Sequence, residues 1–460
     1  MIPIHGQPVL TAAVMRAAEQ AVMTQCVSEA TLMDRAGRAI AHAVARLAAG
    51  REILVLCGPG NNGGDGYITA ARLREQGYMV RVAMLAEPRS EGCRRAAKLW
   101  GGSVASLDEV EPAPVLVDAL FGTGLSRGLE PVAEQSLARL AEAAWLRIAV
   151  DLPSGIATDT GRLLSETSRF DVTLALGAVK PSHLLQPAAG RIGEVRLLEI
   201  GVPSSGTVRV MAAPALPSPD ANSHKYSRGM VAVVAGSMAG ASELAAMAAA
   251  RAGAGYVLLL ASDVASEPVR PHAIVRREFS PDALADDRIG AVAIGPGLGR
   301  DDDARQRLGA ALGSGRPLVI DGDALRLVET EELAVHVGSK ILTPHGGEFT
   351  HLFGGMKTDK LTATLDAAHR SNAIVVHKGA DTVIAAPDGR AILCPEASPW
   401  LSTAGTGDVL AGAVAAMLAG GLEPLAAAEA GVWLHAQAAR ACGKAFIADD
   451  LADALSAVRG

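Results

Sequence analysis

Aromatic side chains are scarce in this sequence: phenylalanine, tyrosine and tryptophan together make up 3% of it. Because hydrophobic residues still make up 49%, the cores must be built mainly from Ala, Val, Leu and Ile. Cysteine is also rare, and the spacing of the five that occur argues against a structural zinc site. Their odd number suits reduced thiols in a cytoplasmic protein; they are Cys26, Cys57, Cys93, Cys394 and Cys442.

The sequence has no block of lysine or arginine, and its net charge is −7, which argues against a nucleic-acid partner. The longest apolar runs lie near 243–261 and 409–422, but Arg251 interrupts the first and the second is too short to span a bilayer. The N-terminus lacks the basic and apolar segments of a signal peptide. We expect a cytoplasmic homo-oligomer that acts on small molecules, without membrane or nucleic-acid partners.

The length of 460 residues is sufficient for two or three domains. Strand-like apolar runs alternate with helical patterns in both halves, which predicts an α/β fold with parallel sheets covered on both faces. The alternation lapses at 203–223, where four prolines lie among Ser, Ala and Asn, and we interpret this stretch as a linker. The sequence therefore predicts two different α/β domains, residues 1–210 and 222–460.

The periodicity also predicts individual elements. In the first half we expect helices within 11–49, from about Tyr67, near 90–100 and at 131–144, with strands at 53–57, 80–85, 115–117 and 147–150. In the second half we expect strands at 230–234, 256–260, 292–294, 318–321, 341–342 and 374–376, with helices from about Ala241, at 404–420 and at 424–441.

Three polar loops follow strands in the first half, at 58–66, 118–128 and 151–155. The first holds five glycines, which let a ligand approach backbone N–H groups, and the next helix would offer its positive end to an anion. Because parallel strands end at one sheet edge, the loops are expected to meet where open α/β sheets bind ligands. A tight turn or a capping acid is the alternative for each loop alone. Together they favour a site with Asn62, Asp118, Asp151 and Ser154.

The second half contains the string STAGTGD at 402–408, which opens a long Ala-rich helix. Small residues leave free N–H groups at a helix N-terminus, where a transferring phosphoryl group would be stabilised. Asp408 could deprotonate a hydroxyl at the same spot. The alternative is a carboxylate that merely stabilises the end of the helix.

Four further polar strings accompany this one. KGADT (378–382) offers a cation and donors suited to a nucleotide's phosphates, or else forms a charged hairpin turn. GPGLG (295–299) permits close approach of a ligand. In TPHGGE (343–348) a lone histidine would be interpreted as a capping or core residue, and in DGDAL (321–325) the second acid as a helix cap.

The strings NNGGDG, DALFGTGLSRG and DLPSG resemble the Rossmann-like epimerase domain of the NAD(P)H-hydrate repair enzymes, as does the helical segment with Glu19 and residues 32–37. The resemblance covers about residues 10–205. In that family the domain interconverts the two epimers of hydrated NADH or NADPH. The resemblance implies proton transfer by Asp151 and a potassium ion on Asn62, Asp118 and Ser154, whose hard oxygens suit it. It also implies that the dinucleotide is bound by Asp151 and by Asn61, Asn62, Gly63, Gly64, Asp65, Gly122, Thr123, Gly124, Leu125, Ser126, Arg127 and Gly128.

AGTGD with the following Leu410-Ala411-Gly412 resembles the ribokinase-like kinases. Taken in order, HKYSRG, AGASELAAMAAARAGAG, GPGLG, TPHGGE, KGADT and AGTGD are similar to the dehydratase domain of the same repair enzymes, over about 224–458. That dehydratase uses ADP in bacterial members and ATP in eukaryotic ones, with magnesium on the phosphates. The resemblance implies that Lys378, Gly379, Ala380, Asp381, Thr382 and Gly407 bind the nucleotide. It implies contacts with the hydrated cofactor by Ala241, Gly297, Gly299, His345 and Asp408.

We therefore expect a bifunctional repair enzyme that epimerises hydrated NAD(P)H and dehydrates the S form with ADP, giving NAD(P)H, AMP and phosphate. A ribokinase-like small-molecule kinase fused to a nucleotide-binding domain is the alternative, and a non-catalytic sensor is another for the first half. The stretch 262–291 and Gly346, where a proline is common, depart from the family pattern and bear on loop shape. The motifs separate neither ADP from ATP nor NADH hydrate from NADPH hydrate.

Overall fold

The computed structural model describes residues 1–25, 27–262, 271–395 and 397–459, so Cys26 and part of 262–291 lie outside the described residues. The chain forms two compact units, Met1–Val210 and Met211–Gly460. Both are α/β, which confirms the predicted fold class. Within the described ranges, no helix combines the length and apolarity needed to cross a membrane.

The first unit contains six α-helices and eight strands within its described residues. Its helices are α1 Ala12–Met23, α2 Glu29–Ala48, α3 Asn61–Glu75, α4 Glu91–Trp100, α5 Pro131–Ala143 and α6 Ala189–Ile192. Its strands are β1 Ile53–Cys57, β2 Val80–Met84, β3 Ala105–Ser106, β4 Val115–Ala119, β5 Leu146–Val150, β6 Val172–Leu176, β7 Glu194–Leu198 and β8 Val208–Val210.

Seven of these strands form one parallel sheet in the order β3-β2-β1-β4-β5-β6-β7. Every residue of β1 and β4 is buried, as expected of central strands covered by helices on both faces. The chain order reverses between β1 and β4, and the carboxyl ends of strands at such a switch point form the ligand crevice of open α/β sheets. The fold therefore places the ends of β1, β4 and β5 around one crevice.

The predicted loop 58–66 is shorter than expected, because helix α3 already begins at Asn61 rather than near Tyr67. The glycines inside it permit close packing. A Cβ at Gly63 would overlap the carbonyl of Gly58, and one at Gly64 would lie 2.7 Å from the Met33 sulfur. In the sequence the glycine density indicates an open turn, whereas here it lets the first turns of α3 approach the sheet and α2.

The second unit also alternates helices and strands. Its strands are β9 Met230–Val234, β10 Tyr256–Ala261, β11 Ile274–Glu278, β12 Ile289–Ile294, β13 Leu318–Ile320, β14 Lys340–Leu342, β15 Ile374–His377, β16 Val383–Ala385 and β17 Ala391–Leu393. Its α-helices are α7 Ala239–Arg251, α8 Asp302–Gly313, α9 Ala324–Leu327, α10 Thr330–Val335, α11 Gly346–Phe353, α12 Lys360–Ser371, α13 Thr406–Ala419, α14 Pro424–Cys442 and α15 Ala448–Val458.

These strands run in the order β11-β10-β9-β12-β13-β14-β15-β16-β17, parallel as far as β15 and antiparallel beyond it. Helices α7, α13 and α14 pack closely because their contact positions are small. A Cβ at Gly412 would overlap the Ala245 carbonyl, and one at Gly431 would overlap the Val414 side chain. This packing buries nearly all of α13, so the position of its first turn is well defined.

Candidate functional site

The first unit contains a cavity of about 880 Å³ at the carboxyl ends of its central strands. Residues from all three predicted loops, including the start of α3, line it, because the parallel strands end at the same edge. Among the predicted residues, its walls include Asn61, Asn62, Asp65, Gly122, Thr123, Gly124 and Asp151.

Other predicted residues of this half lie elsewhere. Gly63 and Gly64 are buried in the packing of α3, and Leu125 packs against an apolar cluster beside β4 and α5. Ser126 is exposed, and so is Arg127, whose guanidinium lies 3.8 Å from Glu130. Gly128 is half-buried, and a Cβ there would lie 2.6 Å from the carbonyl oxygen of Leu164.

Asp151 follows β5 in a left-handed conformation, with φ of 63°, and is buried. One carboxylate oxygen, Oδ1, accepts from the backbone N–H of Leu176 at 3.1 Å and from the ammonium of Lys180. The Asp151 carbonyl accepts from Nε2 of His183 at 2.7 Å. Because Nδ1 of His183 accepts from the Lys180 backbone N–H, Nε2 carries the proton, and burial lowers the pKa of His183 to about 4. A neutral histidine thus holds this backbone in place.

Lys180, which the sequence reasoning missed, also lines the first cavity, although only 1% of it is exposed. It lies after β6, a strand that the periodicity did not predict. The run Val172–Leu176 is fully buried and largely apolar, so periodicity could have identified it as a strand. No polar loop follows it directly, since Gly177, Ala178 and Val179 precede Lys180, and the signal that identified the other loops is absent here.

Three more carboxyl-bearing residues line this cavity, Glu19, Glu29 and Asp65. Burial raises the pKa of Glu19; the nearby Asp151 carboxylate adds to the rise and Lys180 opposes it. Burial raises the pKa of Asp65 well above its usual range, and the Asp151 and Glu19 carboxylates reinforce this. The cavity therefore contains an ammonium–carboxylate pair beside carboxyl groups that retain their protons more readily than in water.

Asp118 and Ser154 lie behind this cavity and contact each other. The Ser154 hydroxyl donates to the Asp118 carboxylate at 2.8 Å, and the backbone N–H of Ser154 donates to its other oxygen at 2.8 Å. Burial raises the pKa of Asp118 to about 6, and no Lys or Arg among the described residues pairs with it. Asn62 approaches Gly122 nearby, and its buried Nδ2 has no partner within the described residues. A buried carboxylate beside neutral oxygen donors suits a small cation.

The second unit contains a cavity of about 470 Å³. Its walls are largely apolar, from residues such as Met211, Leu401, Leu410 and Val432, with polar groups at one side. Five of the six residues predicted to bind the nucleotide line it: Lys378, Gly379, Ala380, Thr382 and Gly407. The sixth, Asp381, forms an ion pair with Lys360 at 2.6 Å. An apolar chamber with a few convergent polar groups is typical of a small-molecule site.

Asp408 lies in the first turn of α13, one residue after Gly407. The N-cap residue of this helix is Gly405, with φ of 89° and no side-chain capping bond, so Asp408 is not the capping residue. Its carboxylate nevertheless lies in the first turn, where it can stabilise the end of the helix. Burial raises the pKa of Asp408 to about 7, the Asp321 carboxylate adds to the rise, and Lys378 opposes it. A carboxylate with a pKa near 7 is suited to accept a proton at neutral pH.

Lys378 connects the second cavity to a group of acids. Its ammonium donates to Asp321 at 2.7 Å and lies 4.0 Å from Glu348, while the Thr343 hydroxyl donates to the same Asp321 oxygen at 2.7 Å. A Cβ at Gly407 would lie 3.3 Å from the Lys378 nitrogen. The absence of a side chain there thus brings Lys378 against the start of α13. The motifs suggested the cation but not these partners.

The remaining predicted residues of this half do not line the second cavity. A Cβ at Gly297 would lie 3.0 Å from Ala241, and the backbone N–H of Gly299 donates to Asp323 at 3.1 Å. His345 is the N-cap of α11, since its Nδ1 accepts from the backbone N–H of Gly347 at 2.9 Å. His345 therefore caps the helix, which is one of the two alternatives considered for it in the sequence. Its side chain is about half exposed.

Comparison with known proteins identifies similar sequences over both units. The family model described as "NAD(P)H-hydrate dehydratase" matches residues 231–458, and one described as "YjeF-related protein N-terminus" matches residues 29–182. A bifunctional NAD(P)H-hydrate repair enzyme from Thermofilum pendens is 35% identical over 455 residues, covering 89% of this chain and 87% of that protein. Its counterpart from Salinibacter ruber is 34% identical over 98% of this chain and 96% of that protein.

A solved structure from Enterococcus faecalis, described as a ribokinase-like superfamily protein, is similar to part of this chain. It matches with a TM-score of 0.51 and 22% sequence identity, over 56% of this chain and 97% of that one. At this level of identity the likeness shows the fold alone.

Proposed function

Because this chain belongs to the family of bifunctional NAD(P)H-hydrate repair enzymes, we propose how its two units divide the repair of hydrated NAD(P)H. The protein is an enzyme with an epimerase part and a dehydratase part. We assign the epimerase to residues 1–210 and the ADP-dependent dehydratase to residues 222–460. The observation that carries this assignment is that each unit has its own cavity with a carboxylate at it, Asp151 in the first and Asp408 beside the second.

In the dehydratase, Asp408 accepts the proton of the added hydroxyl on the S epimer. The hydroxyl oxygen attacks the terminal phosphorus of ADP, and AMP leaves. The resulting phosphate ester then loses inorganic phosphate, and the departing phosphate takes up the proton that the neighbouring ring carbon loses, which restores the double bond of NAD(P)H. No atom is oxidised or reduced, in keeping with the loss of one water overall.

The nucleotide occupies the second cavity in this proposal, with its base against the apolar wall and its phosphates towards Lys378 and the start of α13. Thr382 and Gly379 are joined by a hydrogen bond at 2.8 Å, which fixes the loop shape, and Asp381 supports it through Lys360. Ala241, Gly297, Gly299 and His345 are proposed to contact the hydrated cofactor. Magnesium neutralises the charge of transferring phosphates. It would be attracted here because three carboxyl groups, those of Asp321, Glu348 and Asp408, surround the single ammonium of Lys378.

In the epimerase, we propose that Asp151 transfers the proton that inversion at the hydroxyl-bearing carbon requires. Its second oxygen points towards Gly122 and Asn62, where a Cβ at Gly122 would lie 3.4 Å from it. The dinucleotide is bound by the predicted residues of 61–65 and 122–128, with its phosphates towards the start of α3. A cytoplasmic location and a homo-oligomeric assembly stay predictions.

This function is tested with resolved R and S epimers of hydrated NADH. The S epimer with ADP is expected to regain reduced-nicotinamide absorbance with release of AMP and phosphate, faster than with ATP. The R epimer should disappear without nucleotide, when followed by chromatography. A stable phosphorylated product would favour the small-molecule kinase instead, and binding of either epimer without any turnover would favour a sensor.

We propose that the epimerase site also binds potassium through Asn62, Asp118 and Ser154. Support comes from the buried Asp118 carboxylate, which lacks a cationic side-chain partner among the described residues, and from the adjacent Ser154 hydroxyl. The ion would neutralise that carboxylate and hold the ends of β4 and β5 together.

Replacing potassium by sodium is expected to slow R-to-S epimerisation by roughly 10–100-fold, the scale on which lost support of a metal site acts. The rate should be followed directly by chromatographic separation of the epimers, so that the dehydratase does not limit it. Full activity in a sodium-only buffer, with no monovalent ion bound at Asp118 in a crystal, would refute the proposed site.

A further inference from the structure

Lys180 is a charged side chain in a place where a charge is costly. Only 1% of it is exposed, yet it borders the 880 Å³ cavity of the first unit. Its ammonium donates to Asp151 and to the carbonyl of Leu176, the latter at 2.7 Å. Within the described residues its third N–H has no partner, which leaves one donor available to a molecule in the cavity.

A buried ion pair adds little stability, because the desolvation of two charges offsets their attraction. The pair between Lys180 and Asp151 nevertheless has a dedicated support. The neutral His183 accepts from the Lys180 backbone and donates to the Asp151 carbonyl, so one ring holds both backbones. Glu19 and Asp65, two of the other titratable groups at this cavity wall, lie close enough to Asp151 for its carboxylate to raise their pKa, in addition to the rise caused by burial. A buried ion pair with interacting titratable neighbours at a cavity indicates a catalytic role rather than a contribution to the stability of the fold.

We propose that Lys180 is a second catalytic residue of the epimerase, acting with Asp151 as a proton-transfer pair that opens and closes the hydrated nicotinamide ring. The inference rests on the proposed function, because it needs the R and S epimers of hydrated NAD(P)H as substrates. Ring opening requires two proton transfers, one at the hydroxyl and one at the ring nitrogen. The proposal assigns them to Asp151 and Lys180, whose side chains contact each other.

The chemistry depends on where water adds. Hydration places a hydroxyl on the ring carbon next to the ring nitrogen, and inversion at that carbon requires one of its bonds to break. Asp151 accepts the hydroxyl proton, a carbonyl forms, and the electron pair of the carbon–nitrogen bond moves to the nitrogen. The Lys180 ammonium gives that nitrogen a proton, leaving an open-chain aldehyde and an N–H.

Rotation about the bond to the aldehyde carbon then exposes its other face. Ring closure reverses the transfers: the nitrogen attacks the carbonyl and returns its proton to Lys180, and Asp151 protonates the oxygen. The hydrogen bond between the two side chains also provides a direct path for the proton while the ring is open. No oxidant, reductant or other reactant is needed, since the epimers have the same composition.

Two substitutions separate proton transfer from simple charge pairing. Lys180→Met removes both and is expected to slow R-to-S epimerisation by about 10²–10⁴-fold. Lys180→Arg keeps a cation beside Asp151, but a guanidinium stays protonated throughout the working pH range. We expect it to be as slow as Lys180→Met. Lys98→Met, at an exposed lysine of α4, is the matched control and should keep the wild-type rate.

A third variant, Lys180→Ala, is tested with added primary amines of similar size and different pKa. Proton transfer predicts that the rescued rate changes with the pKa of the amine, and this decides the matter even where another variant is misfolded. Wild-type rates in Lys180→Arg, or rescue that is independent of amine pKa, would overturn the proposal and leave Lys180 a positioning residue. If the wild-type chain itself does not interconvert the epimers, the proposed function fails instead.

Discussion

Replacing Asp408 with asparagine (Asp408→Asn) is expected to slow dehydration of the S epimer by about 10²–10⁴-fold while R-to-S epimerisation is unchanged. Asparagine has nearly the same shape, and Gly405 rather than Asp408 caps α13, so the start of the helix should survive. The variant loses the ability to accept the hydroxyl proton. The expected loss corresponds to about 3–5 kcal/mol in the barrier.

The measurement is the return of reduced-nicotinamide absorbance from pure S epimer with ADP. A suitable control is Asp302→Asn, which removes an exposed carboxylate from the first turn of α8 in the same unit and should leave the rate unchanged. Near-wild-type turnover in Asp408→Asn would show that Asp408 only stabilises the helix end.

The pH dependence of the wild-type enzyme tests the same assignment. Burial, with the Asp321 carboxylate, raises the pKa of Asp408 to about 7. A base acts in its deprotonated form, so kcat/KM for dehydration should fall as the pH drops below about 7, by about tenfold per pH unit, and level off above it. The Asp408→Asn variant should lack this acidic limb. A wild-type profile that stays flat well below pH 7 would contradict the role.

Much of the first site was predictable because parallel strands impose a simple rule. Apolar runs such as Ile53–Cys57 and residues 115–117 identify buried parallel strands, and the residues after each of these runs must lie at one sheet edge. The prediction that Asn62 and Asp151 share a site needs only that rule. The role of the glycines could not be predicted from it, because close packing of a helix and flexibility of a loop use the same residue type.

Contacts between distant residues could not be predicted from spacing. Lys180 and Asp151 are 29 residues apart, and Lys378 and Asp321 are 57 apart, so each pair forms only when the sheet has assembled. The strings around them show a cation or an acid but carry no information about its partner. Burial adds a second effect, since it is the folded environment that raises the pKa of Asp408 and of Asp118.

Replacing Asp151 with asparagine is expected to have the converse effect of the change at Asp408. Conversion of the R epimer should slow by about 10²–10⁴-fold, towards the spontaneous rate, while pure S epimer is still dehydrated with ADP. Asparagine tolerates the left-handed conformation of this position, where φ is 63°, so the backbone should be unaffected. Its side-chain oxygen can still accept from Leu176 and Lys180. What it loses is the ability to take up a proton.

The test gives each variant resolved R and S epimers with ADP and follows both by chromatography, with Asp108→Asn, at an exposed acid of the same unit, as the control. The two activities should separate, because every residue that lines the first cavity belongs to the first unit and every one that lines the second belongs to the second. Unchanged R-epimer conversion in Asp151→Asn would remove Asp151 from the reaction. Loss of both activities in folded Asp151→Asn and in folded Asp408→Asn would instead mean that the two sites are coupled.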